Sequence, residues 1–436
     1  MKILFENTDI LLRKDGHYCV INKGYLAIDG KYISYIGKEK PNDSFDLVKD
    51  FSNKLLMPGL INAHTHSPMV FLRGLGEGLK LDKWLNDYIF PTEAKMTPEI
   101  ISAASYYAIL ELLASGVTSF TDMYFYPEET AEAVRRSGIK ANLTKYITCF
   151  DEHQKVEDSE IPGSIKFYEE WNDKCDGRIK IDFGIHAEYT NKKYIVREYS
   201  RMCKKRNARM HIHLSETENE VERCKEKYGL TPVKWFENLG TFDNPTSAVH
   251  VVWPEGDDLQ ILKNHDVTVI HNPSSNMTLG SGFAPISKML NMGINVALGT
   301  DGAASNNNLN MFEEMHMCSM LSNGFHLDPQ RLSCESVLDM ATINGAKSQG
   351  RQDTGILEVG MCADIIALNM KSIHLFPTLN YPALLCKSAQ AGDVYMTMVD
   401  GKILYEDGMY FTLDRTRIIE DFKDLVNKFY NKDKKQ

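Results

Sequence analysis

From about residue 57 to residue 365 the chain repeats one pattern, a short apolar run followed by a longer amphipathic segment. That alternation is the signature of βα repetition and a mainly parallel sheet, and it constrains the fold more than any other feature. The candidate strands are LLMPGLINAH, GVTSFTDM, IKANLTKYI, IKIDFGIHA, ARMHIHLS, TSAVHVV, VTVIHN and INVALGTD. Eight strands with intervening helices over about 300 residues point to a (β/α)8 barrel. No glycine-rich dinucleotide fingerprint follows any of them, which argues against an open doubly wound sheet.

The flanks read differently. Residues 1–57 form short β segments (KILFEN, HYCVINKGYLAID, KYISYIGK) broken at Asp15-Gly16, Asp29-Gly30 and Gly37. After residue 365 the β style returns in ADIIALNM and VYMTMVDGKILYEDGMY, and the charged helix RTRIIEDFKDLVNKFYNKDKKQ closes the chain. The expected architecture is therefore a TIM-like barrel of residues 58–364 beside a small β-sandwich domain built from both termini, 1–57 and 365–436.

Composition narrows the function. With 436 residues, 43% of them hydrophobic, the chain can bury at least one large core. A net charge of −10 argues against a phosphate-backbone binder, so no nucleic acid partner is expected. Nine cysteines, an odd number without a CxxC pair, suggest neither a disulfide framework nor a cysteine zinc site and point to a reducing cytoplasm. Lys2, Glu6, Asp9, Arg13 and Lys14 interrupt any signal-peptide core. No apolar stretch has the length of a membrane span. The exposed surface of a barrel could support dimers or tetramers, and a homo-oligomer is expected.

Chemistry collects at the predicted strand ends, where His64, His66, His186, His213, His250 and Asp301 stand. In a parallel barrel these ends form one mouth. Residues i and i+2 of a strand face the same side, so His64 and His66 can grip one cation through neutral imidazoles. An HxH alone is equally well explained by two interior histidines bonded to neighbours; the further His and Asp at later strand ends shift that balance. His213 and Asp301 would complete an N/O set suited to Zn²⁺ or Fe²⁺. Such an ion lowers the pKa of a water from 15.7 to about 7. Glu216, three residues beyond His213, is placed to shuttle a proton, a role worth roughly 10²–10⁴-fold in rate.

The stretches PGLINAHTH, FPTEAKMT, FGIHAEYT, HIHLSETENE, AVHVVWPE, HNPSSNMTLGSGFAPI, GTDGAASNNNLNMFEEM and ATINGAK resemble the amidohydrolase superfamily. Within it they look closest to the methylthioadenosine/S-adenosylhomocysteine deaminase branch, which also holds chlorotriazine hydrolases. The resemblance implies one Zn²⁺ per subunit, with Fe²⁺ as the other option, held by His64, His66, His213 and Asp301. It implies that Glu93, His186 and Glu216 contact substrate, Glu93 receiving the ribose hydroxyls as an acceptor. Glu216 would protonate the ring nitrogen beside the amino-bearing carbon. His250 would hold the attacking water against the ring, and Asp301 or His250 would take its proton as ammonia leaves. The family pattern puts the ligand three residues before the glutamate, which selects His213 over His211.

The implied substrate is an adenosine-type nucleoside: methylthioadenosine, S-adenosylhomocysteine, 5′-deoxyadenosine or adenosine. The alternative keeps the mononuclear site and changes the ring to a guanine-like base, a pterin or a triazine. The chain departs from the family in having no Arg from 137 to 177, where arginines are expected to hold an amino-acid carboxylate, and in carrying Glu188 in place of the usual proline. An uncharged 5′ group becomes more attractive. Two bland readings stand beside these. FPTEAKMTPE could simply cap a helix entered at Thr92 or Thr97, and Trp84, Tyr88 and Phe90 could be core packing instead of an aromatic wall.

Overall fold

The structure, a computed structural model, describes residues 1–151 and 153–432. Eight parallel strands follow one another around the barrel in chain order: Leu60–Thr65, Val117–Met123, Lys140–Ile147, Ile179–Ile185, Met210–Leu214, Thr246–His250, Thr268–His271 and Val296–Leu298. The eighth meets the first through hydrogen bonds just beyond its end. Asp301 N donates to His64 O at 3.0 Å, and Thr300 N donates to Asn62 Oδ1 at 3.0 Å. The first and last strands are thereby held together beside the histidine pair.

The expected strand LLMPGLINAH proves to be two. Lys54–Pro58 pairs antiparallel with Ile365–Asn369 in a second sheet, and Leu60–Thr65 belongs to the barrel. Gly59 joins them where a Cβ would lie 2.2 Å from the Thr118 side chain, a space only glycine tolerates. The second sheet has nine strands drawn from both termini, with the thirteen-residue strand Lys2–Lys14 paired to His17–Asp29 and, through separate stretches, to Leu47–Asp50 and Lys54–Pro58. Ile3, Phe5, Leu26 and Ile28 from the N-terminal part pack with Ile365, Ala367, Met396 and Met398 from the C-terminal part, so neither end buries its apolar face alone.

At the N-terminal end of the barrel strands, Lys140 Nζ lies 2.6 Å from Asp364 and 2.7 Å from Asp400, and Thr354 donates to Asp364 at 2.6 Å. Arg351, also buried, donates to the carbonyls of Gly177, Ala141 and Arg178. The Lys140 contacts tie the barrel floor to the second sheet, and Arg351 ties the end of the last barrel helix to the same floor.

The last helix, Arg415–Lys432, lies against the barrel helix Pro98–Ala114, stacking Phe422 on Tyr107 with ring centroids 4.1 Å apart. It also covers Phe71, in the 3₁₀ turn Ser67–Leu72 that follows His66. Residues 433–436, the end of the expected helix, lie outside the described residues. Among the described residues no helix is long and apolar enough to cross a membrane.

Candidate active site

Three imidazoles meet at the C-terminal mouth. His64 sits on the first strand, His66 one residue past its end, and His213 on the fifth strand. Their ligand-capable nitrogens all lie within 4.8 Å of one another. Asp301 Oδ1 joins them, 3.5 Å from His64 Nε2 and 3.4 Å from His66 Nε2. His66 is off the strand, so its inward aim comes from the turn that follows and from a hydrogen bond of its Nδ1 to Met123 O.

The backing bonds decide which nitrogen faces the centre. A carbonyl can only accept, so the Nδ1 of His66, against Met123 O, and the Nδ1 of His213, 2.8 Å from His186 O, must carry the proton. Each Nε2 is left with its lone pair. His64 Nδ1 faces His211 Nε2 at 2.8 Å, which makes His211 a backing residue and keeps His213 as the member of the cluster. Burial holds His64 down to about 4 and His213 well below the usual imidazole range, so the rings stand neutral near pH 7. For Asp301 burial alone would raise the carboxyl, but contact with His64 and the nearness of His66 and His250 outweigh it and hold the group well below the usual range. Neutral imidazoles with free lone pairs and one carboxylate form a donor set that fits a divalent metal ion.

Around this centre the remaining candidates divide. His250 ends the sixth strand, its Nδ1 2.8 Å from Asn276 Oδ1 and its Nε2 3.7 Å from Glu216 Oε2. Glu216 is buried, accepts from Ser281 Oγ at 3.2 Å, and is raised above the ordinary carboxyl value chiefly by that burial. His186 and Glu93 line the wall of the same cleft as His250 and Glu216. Glu93 Oε1 accepts from Tyr124 at 2.6 Å, and burial pushes its carboxyl up to about 7. Its side chain lines the cleft instead of capping a helix; the cap of Pro98–Ala114 is Thr97.

The helical stretch Leu81–Glu93 contains a π turn at Leu85–Ile89, and the extra residue in that turn brings Trp84, Leu85, Ile89, Phe90 and Glu93 to the same cleft. Trp84 and Phe90 are therefore wall residues, whereas Tyr88 is 42% exposed and does not line it. Three strand-end residues, Ser215, His250 and Asp301, adopt positive φ of 49°, 74° and 63°. Such backbone costs of order 1–3 kcal/mol per residue and is retained where it aims side chains.

The site also rests on residues that motif reading passed over. Glu220 accepts from the backbone N–H of Ser215 and Glu216 at 2.7 Å each, clamping the turn that carries Glu216. The Thr217-x-x-Glu220 capping box was the available signal. Ser275 Oγ donates to Asp301 Oδ2 at 2.6 Å, and the buried Glu314 holds Ser274 N at 3.2 Å and Asn306 Nδ2 at 2.7 Å behind it. HNPSSN marked the loop without showing which side chain turns inward.

The sequence pattern of the amidohydrolase family matches residues 55–404. The chain belongs to the amidohydrolase family. A 5-methylthioadenosine/S-adenosylhomocysteine deaminase from Thermoanaerobacter pseudethanolicus is 39% identical over 420 residues, 96% of this amidohydrolase and 97% of the relative. A 5′-deoxyadenosine deaminase from Methanosarcina barkeri is 42% identical over 402 residues, 92% of each chain. A crystal structure of an adenosine deaminase from Xanthomonas campestris with bound zinc superposes with a TM-score of 0.92 at 26% identity, covering 98% of each chain. With such relatives this amidohydrolase is a hydrolase acting on carbon–nitrogen bonds.

Proposed function

We propose that this chain is a metal-dependent aminohydrolase that removes the amino group of an adenosine-type nucleoside and releases ammonia, with His64, His66, His213 and Asp301 holding one divalent ion, Zn²⁺ before Fe²⁺. The observation that carries the reading is the convergence of two Nε2 lone pairs forced by backbone carbonyls, the His64 ring and the Asp301 carboxylate on one centre. An ion of this kind would, when bound, lower the pKa of water to about 7.

The chain's own groups supply the rest. Glu216, kept protonated more readily by burial, donates to the ring nitrogen beside the amino-bearing carbon. His250, with Nδ1 committed to Asn276, presents Nε2 as an acceptor on the Glu216 side and holds the attacking water; Asp301 or His250 receives its proton. Glu93 accepts from the ribose hydroxyls and His186 contacts the sugar, while Trp84 and Phe90 wall the purine and exclude water.

We place the enzyme in the cytosol, in keeping with nine free thiols, and expect it to act as a homo-oligomer. We also propose the division into a composite unit of 1–57 and 365–436 and a barrel of 58–364, with the last helix resting on the barrel.

The test is ammonia release from adenine nucleosides by wild type and Glu216→Gln, with metal content measured on both. The reading expects turnover in the wild type, a loss of about 10²–10⁴-fold in the variant and equal metal in both. Release of ammonia from guanine, or of chloride from a chlorotriazine, without turnover of any adenine nucleoside would move the substrate to the alternative ring class.

A further inference from the structure

Beyond Glu93 and His186 the cleft opens into a second, adjoining chamber. Both residues line both spaces, so whatever extends from a sugar held between them enters the second chamber. Its lining includes Met96, Phe125 and Phe150, with Lys145 and the exposed Glu160 among its charged groups. Lys145 is the one Lys or Arg among the described residues that line it, and its Nζ lies 3.1 Å from Glu128 Oε1. Glu160, in the same lining, accepts from Thr148 N at 2.7 Å.

Charge decides what the chamber takes. A tail finds the space open, but a terminal carboxylate finds the cation already paired and a second carboxylate in the same lining. An ammonium is matched by Glu160, whereas a tail that carries both charges leaves its carboxylate unmatched. A neutral methyl or thioether group meets aromatic and methionine surface without loss.

Resting on the nucleoside reading above, we propose that this chamber receives the 5′ substituent and selects neutral, apolar groups over amino-acid tails. Glu160 and the Lys145–Glu128 pair set that selection.

The experiment compares kcat/KM for 5′-methylthioadenosine and S-adenosylhomocysteine in the wild type, Glu128→Gln and Glu160→Gln. Glu128 lies at an exposed helix start, so the first variant keeps the test valid if the second fails to fold. The wild type should prefer the thioether by at least about fivefold. Glu128→Gln, which frees Lys145, and Glu160→Gln, which removes the opposing charge, should each shrink the ratio by raising use of the amino-acid substrate. Equal efficiency on the two substrates in the wild type, or a ratio unmoved by Glu128→Gln, overturns the inference while leaving the deaminase reading intact. Turnover of neither substrate nor any other adenine nucleoside overturns the deaminase reading and this inference with it.

Discussion

The two ends of the barrel both bury charge, and they do so to opposite purpose. At the floor Lys140 ends on Asp364 and Asp400, and the Arg351 guanidinium ends on three backbone carbonyls. At the mouth the Nδ1 atoms of His66 and His213 are satisfied by the protein while their Nε2 atoms point at a shared centre. Buried charge is therefore not by itself the mark of a site. What separates the ends is unused lone-pair capacity: at the floor the Lys140 ammonium is met by Asp364 and Asp400, whereas at the mouth the Nε2 lone pairs of His66 and His213 are left for something from outside the chain.

Substitutions at the two ends should break in different ways. At the mouth, Glu216→Gln is expected to lower kcat by about 10²–10⁴-fold while thermal unfolding stays within a few degrees of wild type. At the floor, Lys140→Met leaves two carboxylates buried without their cation and is expected to cost about 3–5 kcal/mol, seen as a large fall in Tm. The distinction fails if Glu216→Gln unfolds as readily as Lys140→Met, or if Lys140→Met melts like wild type.

An intermediate case sharpens the comparison, because Glu220 is a structural group inside the mouth. Glu220→Ala removes the acceptor from two backbone N–H groups and is expected to cost about 1–3 kcal/mol and also to lower kcat by displacing Glu216. A loss of stability with kcat unchanged would show that the clamp serves the fold alone.

The smallest effect belongs to an exposed cluster, Glu132 with Arg135 and Arg136, where solvent screens the charges. Arg135 and Arg136 hold the Glu132 carboxyl down to about 2, against an ordinary value of 4.5. A carboxyl depressed on folding contributes stability that is fully present above pH 4.5 and is lost as pH falls toward 2. Solvent screening limits the amount to a few tenths of a kcal/mol. The Tm difference between wild type and Glu132→Gln should be slight at pH 7 and vanish near pH 2; a difference that grows on acidification would reverse the sign.

The mouth was far more legible in the sequence than the floor. The strand ends could be read because fully buried parallel strands appear as apolar runs, and His64, His213, His250 and Asp301 stand at or just past their termini. Glu93 came from resemblance, His186 from its strand end with only its role from resemblance, and both lie on the cleft wall. Lys140, Asp364 and Asp400 carried no signal, since their partners are more than two hundred residues away along the chain or belong to the other sheet. The single run LLMPGLINAH hid a change of sheet, because a strand of either sheet reads as apolar and only the close approach at Gly59 marks the border. The final helix read simply as charged; its partner surface on Tyr107 and Phe71 has no local signature.

Metal content, measured on purified wild type and on a His66→Ala/His213→Ala double variant, tests the central claim most directly. The account predicts about one divalent ion per chain in the wild type and its loss, together with activity, in the double variant. Wild-type metal in the double variant, or full activity in a wild type stripped of metal, would contradict it.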